Sequence, residues 1–109
     1  MTDLEMTKLC AEAMGWNVSS WDDRQGFFGY NTEGRAGLFN PLHDDLQAMA
    51  LVKKLNLWIR CDRGNWSACN ADNEAEIYDM KGSWFRDDLN RAIVECVAKM
   101  QRGREKQAA

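Results

Sequence analysis

Two aspartate doublets, Asp44-Asp45 and Asp87-Asp88, are the residues best suited to chemistry in this chain. Carboxylates gathered in this way can hold a divalent cation, and the cation can activate water for hydrolysis. Such a site needs the two doublets side by side together with further oxygen ligands. Each doublet, however, opens a predicted helix, where aspartate caps free N–H groups and meets the positive end of the helix dipole without any metal. Capping is the favoured reading, and a metal-dependent hydrolase using Asp44 and Asp45 is the alternative. His43, the one histidine, could act beside them as a general base. No recognisable nucleophile accompanies it, since the chain has no G-x-S-x-G and no glycine-flanked cysteine motif. The pair Gly26-x-x-Gly29 lacks the Lys-Ser/Thr of a phosphate loop, and no G-x-G-x-x-G follows a strand. Cys10, Cys61, Cys69 and Cys96 form no C-x-x-C pair, so zinc spacing is missing and reduced packing thiols are expected. The expectation is a protein that is not an enzyme and has no cofactor and no metal.

Aromatic residues carry the other functional signal. Five tryptophans in 109 residues exceed what one core of this size hides comfortably, and each indole N–H needs a partner. Residues 16–39 hold six of the aromatic rings and four of the eight glycines. Within this stretch Trp21, Phe27, Phe28 and Tyr30 are the candidate binding residues, because exposed aromatics anchor protein–protein contacts. Stacking on single-stranded bases is the other use of such rings, and it calls for a basic groove. The net charge is −3, and the last eight residues are locally basic through Arg102, Arg104 and Lys106, so the body is more acidic than the whole. That balance favours a protein partner and disfavours nucleic acid, leaving weak binding through the basic tail 102–109 as a further alternative. Self-association stays open.

The elements that must position these residues follow from periodicity. Thr2-Asp3-Leu4-Glu5 has capping-box form, and Met6, Leu9, Cys10 and Ala13 make one stripe of a helix over 2–14 that Gly15 ends. Residues 16–39 read as an ordered loop with one short hairpin around 27–30 and 35–39. A second helix spans 40–55, with Pro41 in its first turn and Ala48, Leu51, Val52 and Leu55 buried. Alternation then predicts strands at 57–61, 66–69 and 76–80. The last helix covers 87–101 on Leu89, Ala92, Ile93, Cys96, Val97 and Met100, with Gly103 ending it and a frayed tail beyond. The expected fold is α+β in one domain over 1–101. Three helices pack on a mainly antiparallel sheet of three to four strands, in a three-layer α/β/α sandwich because apolar residues on both sheet faces need cover, with two layers as the alternative if Trp58 is partly exposed. No apolar run approaches the ~20 residues of a membrane helix, and Asp3 and Glu5 do not suit a signal segment, so a soluble, cytoplasmic protein is expected.

The run Asn40-Pro41-Leu42-His43-Asp44-Asp45-Leu46-Gln47-Ala48-Met49-Ala50-Leu51 resembles the N-P-L-x-D-D-x-x-A-x-x-L signature of the phage α/β/α-sandwich domain family of small bacteriophage and prophage proteins. The order of elements is similar too, ending in a helix with Arg91-Ala92-Ile93. His43 departs from the small or polar residue usual at its position. The resemblance implies a fold and a phage origin, and no activity, since the family has none assigned. Together these readings lead to an accessory protein that binds a host or phage protein.

Overall fold

A computed structural model of the chain describes residues 1–62, 65–70 and 89–108. In order these form α1 (Asp3–Met14), β1 (Asn17–Asp22), β2 (Gly26–Tyr30), β3 (Ala36–Phe39), α2 (Asp45–Leu55), β4 (Leu57–Asp62), β5 (Asn65–Asn70) and α3 (Leu89–Ala108). The class is α+β. Strands β1, β2 and β3 make one antiparallel sheet in that order, and β4 pairs with β5 in an antiparallel hairpin of its own. The expected strand at 76–80 and the doublet Asp87-Asp88 lie outside the described residues. Among the described residues no helix is long and apolar enough to cross a membrane.

Helix α1 begins where the sequence puts it. The Glu5 N–H donates to Thr2 Oγ1 at 3.1 Å, which satisfies one of the first-turn amides. Gly15 ends the helix in the left-handed conformation, and the N–H groups of Gly15 and Trp16 return to the carbonyls of Glu12 and Ala11. The face carrying Met6, Cys10 and Ala11 packs on Ile93, Val94 and Val97 of α3, and Arg91 of α3 reaches Asp3 at 2.9 Å. Helix α3 is the hub: it packs against α1, α2 and β5. Burial there pushes the Cys10 thiol pKa up, and its Sγ donates to the Val94 carbonyl at 3.5 Å. Cys10 and Cys96 are buried in the core, as packing thiols are.

Three features differ from the periodicity reading. Residues 16–39 are not a loop with one hairpin; they are the three-stranded sheet. Its glycines stand where the backbone demands them. Gly26, at φ +87°, opens β2 against the end of β3, where a side chain would meet the Phe39 carbonyl and the Asn40 Cβ. Residues 40–43 are a tight turn, with the His43 N–H donating to the Asn40 carbonyl at 3.0 Å, and α2 starts only at Asp45. Pro41 therefore sits at the second position of that turn, where its fixed φ also suits the chain. Helix α3 runs to Ala108, through Gly103 and into the segment read as a tail. A glycine in an exposed helix costs only about 1 kcal/mol, and the Arg, Glu, Lys, Gln and Ala around it are strong helix formers.

The hairpin lies on α3 through β5, where Ala68 is buried, and on α2 through β4, where Leu57 is buried, while Trp58 is exposed. An exposed Trp58 removes the need for a second cover on this hairpin.

Candidate functional site

The run 40–51 is a joint between strand and helix. Asn40 is buried; its Nδ2 donates to the Arg24 carbonyl at 3.4 Å, which ties the β1–β2 turn to the end of β3. Pro41 and Leu42 are buried in the core. The N–H groups of Leu46 and Gln47 donate to Asp44 Oδ1 at 3.0 and 3.2 Å, so Asp44 is the N-cap of α2. Asp45 Oδ1 accepts from Asn90 Nδ2 at 2.8 Å, which sets the start of α2 beside the start of α3. Ala48 and Leu51 fill the interior. His43 is exposed and points to no described partner that would make it a base.

Gln47 does something the sequence did not signal. Its Oε1 accepts from the Asn40 N–H and its Nε2 donates to the Leu38 carbonyl, both at 2.6 Å. The side-chain amide thus stands where the peptide of a fourth strand would pair with β3. Gln47→Ala leaves both backbone groups without their partner, and an expected loss of about 1–3 kcal/mol follows from the part-buried setting. Urea unfolding of the variant measures it. A loss no larger than that of an exposed polar-to-alanine change would show the amide to be dispensable.

The metal alternative finds only part of what it needs. The helix starts do adjoin through Asp45 and Asn90, but Asp87 and Asp88 lie outside the described residues. Among the described residues no three His, Cys, Asp or Glu side chains gather as a metal would require. Asp44 and Asp45 are each engaged by N–H donors. Titration with Mg²⁺, Mn²⁺ or Zn²⁺ is expected to give no binding heat and no change in Tm; a saturable rise in Tm lost in Asp45→Ala would reinstate the hydrolase reading.

The four candidate binding residues split by sheet face. Phe27 is 6% exposed and its ring packs against Trp21, with centroids 4.8 Å apart. Trp21 is half-buried, and its Nε1 donates to Asp23 Oδ1 at 2.7 Å. These two belong to the inner face, which α1 covers, so Phe27 is a core residue and not an anchor. Phe28 and Tyr30 point the other way and are 43% and 50% exposed, their rings edge-on with centroids 6.2 Å apart. Across the ladder Phe28 faces Leu38, itself 44% exposed, and Tyr30 faces Ala36. On the other side Phe28 faces Ser20 and Tyr30 faces Asn17. The outer face of this sheet therefore carries a single charged residue, Asp22 at its end opposite Gly26, in a chain whose residues are 28% charged. Leu38 was missed because an isolated leucine between glycine and phenylalanine has no face until the register is known.

Such a face can bury aromatic and aliphatic surface against another molecule. No family model matches the chain, and no curated protein or solved structure matches it.

Proposed function

We propose that this chain is a phage-derived accessory protein that acts in the host cell without catalysis, by binding a host or phage protein through the outer face of β1–β2–β3. The observation that carries the reading is the exposure of Phe28, Tyr30 and Leu38 together on one face whose only charged strand residue is Asp22 at its end. Isolated exposed apolar residues are ordinary, but a contiguous set with two aromatics is the composition of an interface centre. The phage origin is supported by the resemblance at residues 40–45.

The double variant Phe28→Thr/Tyr30→Thr removes both rings while keeping residues suited to a strand. Its urea midpoint is expected to stay close to that of the parent, since neither ring is buried. Binding to the partner captured by the parent chain is expected to weaken about 30-fold or more, the loss of at least ~2 kcal/mol typical of a central aromatic anchor. A folded double variant that retains every partner at parental affinity would sink this placement.

A further inference from the structure

We infer that the occupant of this face is an amphipathic helix of the partner, carrying Lys or Arg at the end that lies over Asp22, Asp23, Asp44 and Asp45. The inference rests on the docking reading above and adds the chemistry of what docks.

The edges of the sheet are closed to an added strand. On β1, Val18 pairs with Gly29 and Ser20 with Phe28, so Ser19 is an extra residue, and its hydroxyl turns back to the Phe28 carbonyl at 3.3 Å. A bulge of this kind breaks the spacing that an incoming strand must match. On β3, the Leu38 carbonyl and the Asn40 N–H are already held by Gln47. Recognition must then use the face. Three strands span roughly 14 Å between outer edges with their side chains, which seats one helix of about 10 Å diameter. The inner face of this same sheet already takes a helix, α1.

Charge sets the polarity of the occupant. The end of β1, the start of β2 and the end of β3 coincide, with Asp22 opposite Gly26 and Phe27 opposite Phe39. Asn40 then holds the 22–25 turn against the joint. Asp22 and Asp23 are exposed in that turn, and Asp44 and Asp45 are exposed just past the joint, with Arg24 the one guanidinium of these two segments among the described residues. At the other end Glu33 and Arg35 lie 3.9 Å apart and offset each other. A largely apolar face with Asp22 and further carboxylates at one end is complementary to an apolar helix face with a basic end, and it repels a phosphate backbone.

The test uses the full chain and two displayed peptide libraries. One has apolar residues at i, i+3, i+4 and i+7, the other alternates apolar and polar, and both are randomised for charge at each end. Binders are expected from the helical library, with Lys or Arg gathered at one end, and about tenfold or more weaker on Phe28→Thr/Tyr30→Thr. Asp23→Asn/Asp45→Asn keeps the oxygens that accept from Trp21 and Asn90 while removing two charges. It is expected to weaken the same binders about 3- to 10-fold at low salt, a difference that closes near about 0.5 M salt. Alternating binders that depend on Phe28 and Tyr30 would overturn the helix and leave the docking face standing. Binders indifferent to the double variant, or none from either library, would overturn both. A fluorescent oligo-dT that bound the parent and not the double variant would make the face a base-stacking platform and overturn the inference as well.

Discussion

Gly26→Ala is expected to destabilise the protein by about 3 kcal/mol or more, enough to leave much of it unfolded if the parent has the usual 5–15 kcal/mol. Two costs act together. The residue holds φ +87°, a left-handed conformation that an L side chain adopts only with strain of about 1–2 kcal/mol. The added methyl would also lie 2.6 Å from the Asn40 Cβ and against the Phe39 carbonyl. Those obstacles belong to backbone and to a buried joint residue, so no flexible side-chain tip can move aside. The shift in urea midpoint at unchanged slope measures the effect. A loss under 1 kcal/mol would mean that the end of β3 does not sit where the structure has it. Gly34 is the internal control for strain without crowding: its φ is +80°, and a side chain there meets nothing within 4 Å.

Phe39→Ala carries the second large effect, an expected loss of about 3–5 kcal/mol from removing a buried ring and leaving a cavity. Phe39 is 1% exposed and packs against Trp16, with ring centroids 5.2 Å apart. Its neighbour Leu38 points to the opposite face of the same strand, so Leu38→Ala is expected to change stability by no more than about 0.5 kcal/mol. The contrast between adjacent residues matters more than either value. If the two variants unfolded at similar urea concentrations, β3 would not be one-faced, and the docking surface would lose its basis.

Local chemistry made much of this protein legible in its sequence. Thr2, Gly15 and Asp44 cap the helices as their residue types require, because a helix end leaves amides and carbonyls that short polar side chains or a glycine satisfy within a few residues. The stripe through Ile93, Cys96 and Val97 marks a buried face, since helical period alone brings those residues together. Reading the aspartates as helix starters also needed nothing beyond nearest neighbours, and Asp44 is such a starter.

What lay beyond the sequence depended on contacts between segments. Phe27-Phe28 and Leu38-Phe39 are apolar doublets, and a doublet hides the alternation that tells a strand's inside from its outside. Only the pairing of β2 with β1 and β3 decides that Phe27 and Phe39 go inward while Phe28 and Leu38 go outward. The roles of Gln47 and Asn40 were hidden for the same reason: their partners are Leu38 and Arg24, and a hydrogen bond across a fold has no signature in either residue. The helices and the caps at Thr2, Gly15 and Asp44 were determined by the sequence because their interactions close within one turn of chain, whereas the start of α2 after the 40–43 turn and the run of α3 past Gly103 were not. The side of the sheet left to face another molecule was decided by tertiary structure, because strand register is a long-range choice that sets every side chain on a strand at once.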